Sequence, residues 1–242
     1  MYASPRFGML NMELGELLLQ VLPQLAIIFL VFPVLQYFTC RVACYLGDDS
    51  PEMLARQTLN PLAHVDLFGG LALLICKVGW PKPLPINPAN FYKVKDRRTG
   101  MMLVAFAGPL GNLIFAFLFV FLASLFLQFE FIWSSALGGF AISLFQLIAQ
   151  LSISISLFCC LPLPGLPGEG IGDYFFPEAM AKMRMHQSFI TLGIIVVFFL
   201  APQMLAPIIA LAQLILFAFK SFSIMLISLF VHLISFITRF WR

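Results

Sequence analysis

Residues 101–129 read MMLVAFAGPLGNLIFAFLFVFLASLFLQF, a stretch without one charged side chain. About 20 apolar residues suffice for a helix to cross the hydrocarbon core of a bilayer. The apolar residues here are continuous rather than alternating, which excludes a strand of a membrane barrel. Backbone amides in lipid have no water to bond, so a helix is the remaining solution. The rest of the chain has the same character: 242 residues, 61% hydrophobic, 15% aromatic and 10% charged, with a mean hydropathy of +0.98. Soluble domains average about 25% charged residues. A disordered chain and a nucleic-acid-binding domain need far more charge, and a small disulfide scaffold needs a higher density than five cysteines in this length. The expected fold class is an all-α polytopic membrane protein. Its partners then include the lipid bilayer and exclude nucleic acid.

Three core spans are expected. Residues 17–46 form a first apolar stretch interrupted by Pro23 and Pro33 and stopped by Gly47-Asp48-Asp49-Ser50-Pro51. Residues 101–129 form the next. Residues 132–161 form the third, stopped by Pro162-Leu163-Pro164-Gly165. From 188 to 241 the chain is almost wholly apolar, punctuated by Pro202, Pro207 and Lys220, which allows one to three further helices. Residues 1–16 carry Glu13 and Glu16 and lack the basic start and small-residue cleavage site of a signal peptide, so the first helix is expected to be retained. The division is therefore an N-terminal segment 1–16, a membrane core 17–175 and C-terminal transmembrane helices 176–242.

Residues 67–80 are too short to cross. Apolar stretches of about 10–14 residues are more often re-entrant or interfacial, and this one contains Gly69, Gly70, Lys77 and Gly79. Arg41 and Arg56 precede it, and Lys82, Lys93, Lys95, Arg97 and Arg98 follow it. Because Lys and Arg collect on cytoplasmic loops, both flanks belong on that side. The span from Met101 then runs outward, Glu130 lies at the outer turn, and Lys182 and Arg184 return to the cytoplasm. Residues 81–88, PKPLPINP, lack the amide donors for helix or most sheet pairing and predict an extended edge segment or rigid loop. The following YKVKDRR reads as an anchor to anionic headgroups, at about 1 kcal/mol per charge near the surface.

Three segments in order carry a family likeness. Thr58-Leu59-Asn60-Pro61-Leu62-Ala63-His64-Val65-Asp66-Leu67-Phe68-Gly69, Gly79-Trp80-Pro81-Lys82-Pro83-Leu84-Pro85-Ile86-Asn87-Pro88 and Ala107-Gly108-Pro109-Leu110-Gly111-Asn112-Leu113 resemble the site-2-protease family of intramembrane zinc metallopeptidases, in its compact bacterial branch. The segment from Gly79 is similar to that branch's GWAKPVPVNP strand, and the segment from Ala107 to its AGPxxN helix start. The resemblance implies a multi-pass protein of the bacterial inner membrane. It also implies a groove for transmembrane segments of client proteins beside a conformationally broken segment, with Gly108, Pro109 and Asn112 as groove candidates.

The family's reaction needs an HExxH helix, whose histidines bind zinc while the glutamate activates water, and a distant Asp as third ligand. Aligning Gly47-Asp48 with the family's GD puts Leu35 and Thr39 at the histidine positions and Gln36 at the glutamate. In the motif that carries the third ligand, Cys159 stands at the Asn and Pro167 at the Asp. The resemblance therefore implies a member without catalytic residues, not expected to bind the zinc that its relatives use. Its function would be that of a pseudoprotease which binds or regulates transmembrane clients.

Other readings stand beside this one. Cys40, Cys44, Cys159 and Cys160 offer a replacement thiolate site for a soft metal, or small packing residues. Cys40, His64, Cys159, Glu169 and Asp173 are the set from which an active peptidase could relocate its ligands. His186 and His232 read as interfacial or packing residues. Gln146, Gln150, Ser152, Ser154 and Ser156 are expected to face other helices or a groove. A transporter or structural membrane component is the last alternative, disfavoured by spans with few ionisable residues.

Overall fold

The computed structural model describes residues 21–67, 69, 70, 73 and 79–240. The expected segment 1–16 lies outside them. The described chain is helical: α1 (Val21–Leu46), α2 (Ser50–Met53), α3 (Pro61–His64), α4 (Arg97–Phe126), α5 (Glu130–Trp133), α6 (Ala136–Cys159), α7 (Glu169–Phe175), α8 (Pro177–Arg184), α9 (Gln187–Leu200) and α10 (Ala206–Phe240). Four stretches are long and apolar enough to cross a membrane: α1, α4, α6 and Gln203–Leu233. The last contains most of α10, so among the described residues the apolar tail supplies one full crossing. The helix before it, α9, has only 14 residues and ends at Leu200, two residues before Pro202.

Local chemistry sets these boundaries. Pro33 has no amide to donate and its ring crowds the carbonyl one turn back; α1 accommodates it with a π-helical turn over Ile27–Val31. The helix stops at Gly47, whose φ of +119° is open to glycine at little cost. A side chain at Gly47 would also run into the Tyr92 ring. Asp96 caps α4 by accepting from the Arg98 and Thr99 amides, each at 3.2 Å. Ser135 caps α6 through the Gly138 amide at 3.0 Å.

The long α4 is the central element and packs against α1, α6, α7 and α10. Its seam with α6 and α10 is made of Ala116, Val120, Ala149, Ile153 and Ala212, in which the three alanines let the helices approach where lipid provides no hydrophobic drive. Ser152 and Ser156 face inward as expected, and Ser156 donates to Ser152 O at 2.7 Å. One expectation is corrected. The family likeness implies a broken segment at Gly108-Pro109, but α4 runs unbroken through Pro109, held by packing on both sides.

The ends of the 67–80 stretch come together. Val65 and Pro81 form an antiparallel bridge, the Lys82 amide donates to His64 O at 2.8 Å, and Gly79 abuts Gly69 O. A segment that leaves and returns at one place fits a re-entrant path, although most of its middle lies outside the described residues. Beyond Pro81 the proline-rich chain is extended until the short turn Pro88–Asn90.

The α1–α4 contact yields a direct prediction. A Cβ at Gly108 would collide with Thr39 Oγ1 and Leu35 O. Gly108→Val should overpack this seam and cost about 1–3 kcal/mol, read as a lowered thermal midpoint in mild detergent. An unchanged midpoint would show that α1 and α4 are not in this close contact.

Candidate functional site

Leu35, Gln36 and Thr39, which the resemblance aligns with the zinc and base positions, lie on the face of α1 that meets α4 and the proline-rich segment. Leu35 is 1% exposed and Thr39 is buried with its hydroxyl donating to Leu35 O at 2.8 Å. Gln36 is also buried, and all of its side-chain polar atoms are engaged. Its Nε2 donates to Lys82 O at 2.6 Å, and its Oε1 accepts from Arg56 Nη2 at 3.1 Å and lies 2.6 Å from His64 Nδ1. Arg56 Nη2 reaches Lys82 O as well, at 3.0 Å, and His64 Nε2 meets Thr58 O at 2.6 Å. The result is a buried clasp. It ties α1, the loop after it and the extended segment together through Gln36.

The clasp carries an electrostatic conflict. Gln36 is oriented by its bonds to Lys82 O and Arg56, so both nitrogens of His64 face oxygens that accept. Such geometry favours an N–H at each ring nitrogen. Burial, and then the adjacent Arg56, hold the imidazole below its ordinary pKa against the pull of the Thr58 carbonyl. Burial lowers Arg56 in the same way. Within this set of contacts two basic groups share an amide oxygen where a carboxylate would satisfy both. A carboxylate at position 36 would answer Arg56 and His64 but would set its second oxygen against Lys82 O, which now accepts from Gln36 Nε2.

The thiols do not form the four-cysteine site that their spacing suggests. Cys40 is fully buried with Sγ 3.5 Å from Arg56 O, and Cys159 is buried at the end of α6. All four are free, and among the described residues no group of three potential ligands includes Cys40, Cys159 or Cys160. Cys44 instead lies with the exposed Asp49 and Glu52, their ligand atoms within 4.8 Å of one another. The relocated carboxylates are also engaged elsewhere: Arg184 Nε bonds Glu169 at 2.6 Å and Arg184 Nη2 bonds Asp173 at 2.6 Å, closing α8 onto α7.

The groove candidates are together on α4. Gly108 touches Thr39 and Leu35, Pro109 is buried, and Asn112, one turn on, is fully buried with neither amide atom hydrogen-bonded. Sequence reasoning finds Gln36 and these three but misses Arg56 and Lys82 as its partners. The available signal is a polar Gln in an apolar span, which requires hydrogen-bonding groups from somewhere.

Fold and site together define a polytopic helical membrane protein built on an intramembrane-metallopeptidase framework. The chain is 36% identical over 173 residues to a Bacillus subtilis (strain 168) protein named "Putative zinc metalloprotease YwhC", a match covering 71% of this chain and 78% of that one. It belongs to the site-2-protease family. No family model and no solved structure matches it.

Zinc needs nitrogen, sulfur or carboxylate donors. Leu35 and Pro167 offer none, the Thr39 hydroxyl is committed to its own helix, and the Gln36 amide is committed to the clasp. The residues at the family positions do not fit the ion.

Proposed function

We propose that this chain is a catalytically degenerate site-2-protease homologue that binds or regulates transmembrane segments of client proteins in the bacterial cell membrane. The observation that carries the reading is the Gln36 clasp: the base position is not merely substituted but is a buried structural joint. A water-activating site needs an open coordination position and a free base. Here both roles have been replaced by packing and hydrogen bonds.

Asn112 supports the binding half of the reading. A buried amide without partners costs about 1–3 kcal/mol, and Asn112 leaves both of its polar atoms without one. An unwound client segment offers backbone N–H and C=O groups that would satisfy them. The seam beside Asn112 is made by Gly108 against Thr39 and by Gly111 against the Phe38 ring, so the client would enter by parting α1 from α4.

The test has two arms. Protein purified in the presence of zinc should hold far less than one ion per chain, whereas Leu35→His, Gln36→Glu, Thr39→His and Pro167→Asp combined should raise the content toward one. A photocrosslinker at position 112 should capture membrane proteins through their spans. Stoichiometric zinc in the unaltered chain with chelator-sensitive proteolysis would refute the catalytic half, and no captured span would refute the binding half.

A further inference from the structure

A separate cleft of about 200 Å³ lies where α10 meets the end of α4 and the middle of α6. Four polar side chains line it: Ser124 of α4, Gln128 just beyond that helix, Gln146 of α6 and Lys220 of α10. Val120 and Ile224 are among its apolar walls. Lys220 is the only Lys or Arg between Arg184 and Arg239. A cation within an apolar span is costly and generally marks a site where a partner compensates it. No acidic residue lines the cleft, and among the described residues Lys220 forms no ion pair. Gln146 has no side-chain hydrogen bond there, and Gln128 Nε2 makes only a long one, 3.4 Å to Ser124 O. One ammonium and two carboxamides therefore border one largely apolar cleft with donor capacity to spare.

The position of the cleft selects the anion. It opens beside Gln128, past the end of α4 at Phe126 and close in sequence to the exposed Glu130, which places its polar end at the water boundary. The 35-residue α10 is about 52 Å long at 1.5 Å per residue, well beyond the roughly 30 Å of hydrocarbon. Lys220 is therefore not forced to the bilayer centre. A polar end joined to apolar walls has the form of an amphiphile. One uncompensated ammonium matches one net negative charge, which a zwitterionic headgroup does not supply because it brings its own cation.

We propose that this cleft binds the phosphate of one acidic phospholipid, with Lys220 as the charge partner and Gln128 and Gln146 as amide donors. The full-length protein in mild detergent is mixed with phosphatidylglycerol, phosphatidylcholine or inorganic phosphate, and bound lipid and thermal midpoint are read by native mass spectrometry and melting. Phosphatidylglycerol should be retained at one per chain and raise the midpoint, while phosphatidylcholine and inorganic phosphate do neither. Lys220→Met and Gln146→Leu should each reduce retention at least fivefold, Lys220→Arg should preserve it, and Lys182→Met, on the distant α8, should leave it unchanged. If Lys220→Met does not fold, Gln146→Leu against Lys220→Arg makes the same comparison. Equal retention of phosphatidylglycerol by wild type and Gln146→Leu or Lys220→Met overturns the proposal. So does a midpoint shift by inorganic phosphate equal to that by the lipid, which would make the site one for a small anion.

Discussion

Asp48→Ala is expected to be the most destabilising single substitution outside the spans. The Asp48 side chain is fully buried and accepts from Ser50 Oγ at 2.6 Å, the Ser50 amide at 3.3 Å, the Asn87 amide at 2.6 Å and Asn90 Nδ2 at 2.9 Å. One carboxylate thus joins the end of α1 to the extended segment. Hydrogen bonds to a charged group contribute about 1.5–3 kcal/mol each, and these four share one geometry and do not add independently. A loss of about 3–5 kcal/mol follows, which at roughly 2–4 °C per kcal/mol lowers the midpoint by about 10 °C. Asp48→Asn should cost less, since one oxygen survives, but its amide nitrogen must face a donor.

Asp48 also gives the fold an acid limit. Burial alone would raise its pKa, but the bonds from Ser50, Asn87 and Asn90 outweigh burial and hold it below its ordinary value of 3.8. A carboxylate depressed in the folded state contributes stability that is present above the unfolded pKa and lost as pH falls through the folded one. Wild-type stability should therefore decline on acidification below about pH 4, and that part of the decline should be missing from Asp48→Ala. Chemical denaturation in detergent across pH 3–6 checks both statements; parallel wild-type and variant curves would mean that Asp48 is not the group responsible.

The spans are legible because each needs only a run of apolar residues, and in residues 101–129 and 132–161 nothing competes with that signal. Legibility fails wherever long-range contact decides the structure. Residues 188–241 have one composition throughout, yet Pro202 divides them into a helix of 14 residues and one of 35. Asp48 reads as part of a turn, because nothing near it in sequence announces that Asn87 and Asn90 will come to it. Gly108-Pro109 suggests a break, because the sequence does not reveal the helices that pack around α4, which is continuous there. At the site, Gln36 can be aligned by resemblance with the family's base position, but its partners Arg56 and Lys82 stand 20 and 46 residues away. Their meeting depends on how the 67–80 stretch returns. Local patterns set the elements, and the clasp is a property of their assembly.

Gln36→Glu is expected to reverse the pH dependence of stability near neutrality, a larger qualitative change than any simple loss of packing. In the wild type, His64 is held below its ordinary value of 6.5 by burial and by Arg56. The unfolded chain then binds the extra proton, so stability rises with pH between the folded and unfolded pKa, at up to about 1.4 kcal/mol per pH unit. A carboxylate at position 36 meets two donors already aimed at it, His64 Nδ1 and Arg56 Nη2. Lys82 O keeps its bond from Arg56 at 3.0 Å but loses the Gln36 amide and faces the second carboxylate oxygen in its place, a repulsion that the side chain must relieve by turning away. The imidazolium becomes the favoured form, and the folded pKa of His64 moves above 6.5. Its contribution is then fully present below the unfolded pKa and lost as pH rises through the folded one, so the slope changes sign. The charge-assisted bonds gained are offset by the burial of the carboxylate and by its repulsion from Lys82 O, so the expected result is the changed sign of the slope rather than a net gain in stability. Adding His64→Gln to Gln36→Glu should abolish the reversal while leaving the Arg56 pair in place. Slopes of the same sign in wild type and Gln36→Glu across pH 5–8 would mean that the clasp was never arranged around an acid.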